Sequence, residues 1–145
     1  MSRLVIRPAR IADADAIAPL LGELGYPTEV VEARRRLGRV LSVPDAGVLV
    51  AEIDGDTGAL AAYQLIDLLE RARPQCRITA LVVGARHRRR GAGRALLDAI
   101  ESVARERGCF RLEVTTQPPR TPARGLYASF GFTERPLRLV KKLSD

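Results

Sequence analysis

Residues 86–94 read "RHRRRGAGR", a knot of positive charge that ends in two glycines one residue apart. Such a stretch could grip a polyanion or cradle the phosphates of one small molecule, and its flanks separate the two. "ITALVV" before it has the β-branched alternation of a strand, and "RALLDAIESVA" after it has the period of a helix. A helix start leaves backbone N–H groups unpaired and carries partial positive charge, so glycines that admit a close approach make it an anion cradle. Arg88, Arg90 and Arg94 would add charge-assisted hydrogen bonds to phosphate oxygens. A nucleic-acid surface needs basic residues spread over a face, often with aromatics for stacking, and the knot has none besides His87. The spacing therefore favours a phosphate cradle for a small molecule and disfavours nucleic acid as a partner.

Other chemistries have few residues to run on. His87 is the only histidine, which removes His-containing zinc clusters and makes a serine or cysteine triad depend on that one side chain. Its place on the phosphate side of the loop predicts an exposed loop residue. Cys76 and Cys109 have neither metal nor redox spacing and read as two reduced thiols packed near strands. No metal is expected.

The elements that must position the knot follow from the hydrophobic periods. "RLVIRPA" predicts a first strand over about 3–7. Ile17, Leu20, Leu21 and Leu24 share one helical face, "GYP" at 25–27 stops that helix, and Pro19 inside it predicts a kink or an irregular turn. Thr28 is placed to cap a second helix to about Leu41, with Val30, Ala33, Leu37, Val40 and Leu41 inward and Arg34 to Arg36 outward. "GVLVAEID", a turn at 54–58, "ALAAYQLIDLL" and "CRITALVV" predict an antiparallel meander. Beyond the knot, Leu96, Leu97, Ile100, Val103 and Ala104 form a helical stripe ended by Gly108. "FRLEVTT" is a strand, "TPARGLYASF" a short helix and "LRLVKKL" a last strand, giving the order β α α β β β α β α β.

At 145 residues, with 46% hydrophobic and 28% charged residues, the chain fits one globular domain spanning 1–145. No apolar run reaches the length of a membrane span, and "MSRLVIRPAR" carries charge where a signal peptide is apolar, so a cytoplasmic protein with no membrane partner is expected. The net charge of +7 suits anionic ligands, yet arginines recur along the whole chain with glutamates between them, as on solvated helix faces.

"RRRGAG" at 88–93 resembles the R/Q-x-x-G-x-G/A signature of the GCN5-related N-acetyltransferases (GNAT). "LVV" at 81–83 precedes it at the usual distance, and "LYASFGF" at 126–132 resembles the family's Tyr-x-x-x-Gly-Phe segment. "IRPA" and "GYP" also look like bacterial members, so the likeness covers essentially the entire chain. It implies an α/β (α+β) acyl-CoA N-acyltransferase fold, with a mixed, mainly antiparallel sheet flanked by helices. The implied activity is that of an N-acetyltransferase: an acetyl group moves from acetyl-CoA, the cosubstrate, to a primary amine of a small molecule or peptide by direct attack. Arg88, Arg89, Arg90, Gly91, Ala92, Gly93 and Arg94 would hold the pyrophosphate, and Leu81, Val82 and Val83 would meet the pantetheine through their main chain. Tyr127 matches the tyrosine that protonates the departing CoA thiolate. Tyr26 is a candidate wall of the acceptor pocket, and homodimers are common in similar enzymes.

Departures from the family pattern narrow the chemistry. Arg89 stands where glycine is usual and Ala85 where proline is usual. Thr79 stands where several members carry a glutamate as general base, which leaves water, backbone carbonyls, Asp67, Glu70 or Glu113 to take the proton. That gap and the high pI support one competing reading, a non-catalytic nucleic-acid-binding or CoA-sensing module on the same fold.

Overall fold

The structure, a computed structural model, describes residues 3–115, 121–135 and 138–144, with backbone alone for residues 121–124. Its contacts divide into two compact units, 1–115 and 116–145. In the first unit, strands β1 (Leu4–Pro8), β2 (Ala46–Ile53), β3 (Asp56–Ile66), β4 (Gln75–Val83) and β5 (Leu112–Val114) lie side by side in chain order. The first four pair antiparallel, and β5 pairs parallel with β4. Helices α1 (Ala14–Leu24) and α2 (Val30–Leu41) follow β1, and α3 (Ala92–Glu106) crosses from β4 to β5. The second unit contains α4 (Thr121–Ser129). No helix among the described residues is long and apolar enough to cross a membrane.

Two apolar layers hold the sheet. Ile17, Leu20, Ala33 and Leu37 of the first two helices pack with Val48, Val50, Leu60 and Val82 on one face. Leu96, Leu97 and Ile100 of α3 are fully buried, and α3 packs on β1 to β4 over the other face. The stripe expected for α3 is the one it buries, with Val103 at its margin and Gly108 in the left-handed conformation just past its end.

Two one-residue irregularities shape the sheet. Gly58 is the extra residue of β3 between the Ala51–Ala59 and Glu52–Thr57 pairs, and Thr79 is the extra residue of β4 between Ala62–Ala80 and Tyr63–Ile78. The hairpin turn is tighter than the sequence suggested. Only Asp54 and Gly55 lie between the strands, both with positive φ (52° and 89°), the backbone of a two-residue turn matched to sheet twist.

Four local expectations are corrected. Pro19 does not interrupt α1; it is exposed, so the carbonyl its missing N–H leaves unpaired faces water. Glu29, not Thr28, is the N-cap of α2, because the Thr28 hydroxyl donates to the Tyr26 carbonyl at 2.6 Å instead. Leu41 is exposed at the end of α2. The last strand is not formed over Arg138 to Leu143, the described part of "LRLVKKL" after Leu137, which lies outside the described residues. Strict alternation there ends at Val140, and Leu139, Val140 and Leu143 are exposed, without the paired ladder that makes a strand.

Candidate active site

The cradle begins where β4 stops. After Val83 the Gly84 N–H donates to the Gly58 carbonyl at 2.8 Å, Ala85–His87 make one 3-10 turn, Arg88 is extended, and Gly91 caps α3 with φ of 80°. Arg89 is also left-handed, with φ of 65°. Two left-handed residues ahead of a helix start curl successive N–H groups around a concavity that suits an anion. The first turn of α3 contains no acidic side chain to neutralise it. The left-handed Arg89 also explains why glycine suits this point of the loop. We expect Arg89→Gly to raise stability by up to about 1 kcal/mol by relieving that strain, read as a small rise in melting temperature; a fall would show that the arginine side chain holds the loop.

Two carboxylates and one glycine from other elements fix the loop. The Glu23 carboxylate at the end of α1 accepts the Ala85 N–H at 2.8 Å and faces Arg88 at 3.7 Å, while Arg88 also reaches the Val83 carbonyl at 3.4 Å. Asp54 in the hairpin turn accepts from Arg90 at 2.8 Å and from the Arg3 N–H at 2.7 Å, which holds its carboxyl below the usual range, the Arg3 bond being the larger cause. Arg90 therefore spends part of its donor set on the protein, where the sequence reading gave it to phosphate. His87 is half-buried rather than exposed: a Cβ on Gly58 would lie 2.4 Å from its ring, so the glycine makes the seat for the imidazole. Its Nδ1 is buried with no hydrogen-bond partner among the described residues. Glu23, Asp54 and Gly58 were missed from sequence, although Asp-Gly between two strands and a glycine inside a strand are both local signals.

The strand edge beside the cradle has no partner strand among the described residues. β5 pairs with β4 only from Cys76 to Ile78, so from the Thr79 bulge through Leu81, Val82 and Val83 the strand has β3 on one side and no strand on the other within the first unit. Main-chain groups along that edge are exposed to whatever lies beyond it. Tyr26 is exposed three residues past Glu23, on the α1–α2 link.

The three carboxylates considered as bases separate. Asp67 follows the last residue of β3, whose Ile66 pairs with Gln75 at the far end of β4 from the cradle, and it lines a recess there with Asp45, Leu65, Pro74 and Arg107. The register thus keeps Asp67 away from the loop. Glu70 lies in the exposed link between β3 and β4. Glu113 is on β5 and accepts from Arg77 at 2.7 Å. Burial pushes the Cys76 thiol up to about 12 and raises the Cys109 thiol as well, which disfavours the thiolate, and both are free. In the second unit, Tyr127 is buried on α4, its ring edge-to-face with Phe132 at 5.5 Å, and its carbonyl accepts the Phe132 N–H at 3.0 Å.

Comparison with known proteins shows the family and the fold. Residues 15–132 match the acetyltransferase (GNAT) family model. Glucosamine 6-phosphate N-acetyltransferase 1 of Oryza sativa subsp. japonica is 31% identical over 142 residues, covering 92% of this chain and 84% of the relative. Two solved structures share the fold. Glucosamine-6-phosphate N-acetyltransferase from Arabidopsis thaliana has a TM-score of 0.82 at 20% identity, over 98% of this chain and 99% of that one. Aminoglycoside N-acetyltransferase AAC(6′)-Iy in complex with CoA has a TM-score of 0.85 at 18% identity, over 99% and 97%. The chain belongs to the GNAT acetyltransferase family. Its activity is N-acetyl transfer, and the cosubstrate of the family is acetyl-CoA.

Proposed function

We propose that the protein transfers acetyl from acetyl-CoA to the primary amine of a small molecule, in the cytoplasm. The observation that carries this is the juxtaposition of a loop with two left-handed residues, a helix N-terminus free of acidic side chains, and a bare edge of β4, all within residues 79–94. The cradle fits a pyrophosphate. The N–H groups of Arg89 to Arg94 would hold it, with Arg88 and Arg94 adding charge, and the main chain of Leu81 to Val83 would bind the pantetheine. When bound, acetyl-CoA supplies the activated thioester. Tyr127 is the general acid of this reading, which rests on its match to the family segment. An amino sugar is the first acceptor to test, since the rice relative at 31% identity is named for one.

The reading is tested without knowing the acceptor. Acetyl-CoA binds only the folded form, so it should raise the melting temperature by mass action. Gly91→Ala carries only the strain of φ at 80°, whereas Gly91→Glu adds an anion at the cradle. We expect Ala to lower the melting temperature but keep much of the shift, and Glu to abolish the shift. A full response by the Glu variant would overturn the cradle.

A further inference from the structure

A second group of arginines lies away from the cradle, on the face of the sheet that α1 and α2 cover elsewhere. The registers Ala46–Gln64, Gln64–Arg77 and Arg77–Glu113 run as one row across β2, β3, β4 and β5. Cross-strand partners share a face, and Gln64 is two residues past Ala62, which packs with the α1 and α2 core. Gln64 and Arg77 are exposed, so beyond the bulge that face is open and polar.

The row is built rather than loose. Arg77 Nε donates to Glu113 Oε1 at 2.7 Å. Arg111 Nε donates at 2.8 Å to Gln75 Oε1, whose residue is 2% exposed, and its guanidinium lies 4.9 Å from the Phe110 ring centre. Arg111 also faces the other Glu113 oxygen at 3.7 Å. Two guanidiniums thus share one carboxylate, which leaves net positive charge. Each uses its Nε on a fixed partner, so its orientation is set before any ligand arrives. Their side chains are 45% and 44% exposed, open enough to be reached.

A phosphate in the cradle cannot serve this cluster. From Arg77 to Val83 the strand advances six residues, roughly 20 Å at the rise of an extended chain. Arg77 instead stands two residues before Thr79, where β5 leaves β4 and the open edge begins. We propose that Arg77 and Arg111, oriented by Glu113 and Gln75, bind an anionic group, phosphate or carboxylate, carried by the amine acceptor. The inference rests on the acetyl transfer proposed above and names the class of acceptor: a small amine that bears an anion.

Three amines of the same sugar frame test it: glucosamine, glucosamine 6-phosphate and glucosaminic acid, assayed by thiol release from acetyl-CoA. Wild type should prefer at least one anionic amine to glucosamine by about tenfold or more in kcat/KM, and which one it prefers separates phosphate from carboxylate. Arg77→Gln should erase the preference by raising KM for that amine, while KM for acetyl-CoA and kcat/KM for glucosamine stay within about twofold. Arg77→Lys, which keeps the charge without the fork, should recover part of it. Equal use of neutral and anionic amines by wild type, or an equal loss on all amines in a folded Arg77→Gln protein, overturns the proposal. If none of the three is acetylated, the proposed amino-sugar acceptor fails. Calorimetry of glucosamine 6-phosphate and glucosaminic acid with wild type and Arg77→Gln then decides the cluster by itself. Anion binding lost in the variant upholds it, and binding absent or unchanged sinks it.

Discussion

Tyr127→Phe is expected to lower kcat about a hundredfold and to leave both KM values within about twofold. In the proposed reaction the CoA thiolate forms only in the transition state, so a general acid acts there and adds little when acetyl-CoA is merely bound. General acids contribute on the order of 10² to 10⁴ in rate, and a thiolate leaves readily enough to place this one at the low end. Phenylalanine keeps the ring that meets Phe132 edge-to-face, so the second unit should retain its packing. Thiol release at saturating amine measures the effect. The pH profile supplies a second reading, because an acid with a tyrosine-like pKa gives a high-pH limb that the variant should lack. Turnover near wild type in a folded variant would leave Tyr127 as packing.

Asp13→Ala is the largest stability change expected, a loss of about 2–3 kcal/mol. Asp13 is one of the few buried charges: its side chain is 8% exposed, it receives both terminal nitrogens of Arg7 at 2.8 Å, and it accepts the Arg10 N–H at 2.7 Å. Arg7 also bonds Glu52, so the pair ties β1, β2 and the turn that leads into α1. Removing the carboxylate leaves Arg7, itself 18% exposed, short of a partner, with a fall in melting temperature of roughly 10 °C. The Arg7 hydrogen bonds hold the Asp13 carboxyl below its ordinary value. A carboxyl depressed in the folded state contributes stability above its unfolded pKa, near 4, and loses it as pH falls through the lower folded value. Urea midpoints from pH 7 to 2 should therefore show wild type losing its advantage over Asp13→Ala in that acid window. A constant difference across the series would mean that packing, not the ion pair, carries the cost.

The helices and the meander were legible because their apolar stretches are long: the α3 stripe and the continuous apolar runs of β2 and β3 match what the structure buries. So was the turn from strand through glycines to helix, since its parts are contiguous in sequence. What could not be read is what lies far apart along the chain. Glu23 reaches Ala85 across 62 residues and Asp54 reaches Arg90 across 36, and no local pattern couples them. His87 looked exposed because its seat, Gly58, is on another strand. Which end of the sheet Asp67 belongs to is readable only from the register of β3 on β4. No strand is formed over the described residues of "LRLVKKL", where the alternation ends at Val140.

Thr79 works as a phase shift in β4. On the cradle side of it the even-numbered residues, Ala80 and Val82, join the α1 and α2 core; on the other side the even-numbered Cys76 and Ile78 are buried outside that cluster, and the odd-numbered Arg77 takes the face they would have held. One strand thereby writes two messages on one surface, greasy where helices cover it and charged where it is bare. Were Thr79 instead to pair with Tyr63 in a regular ladder, Ile78 would meet Gln64 and Arg77 would turn toward the layer beneath α3. The polarity of this end of the sheet is thus set less by which residues β4 contains than by a count of one between them.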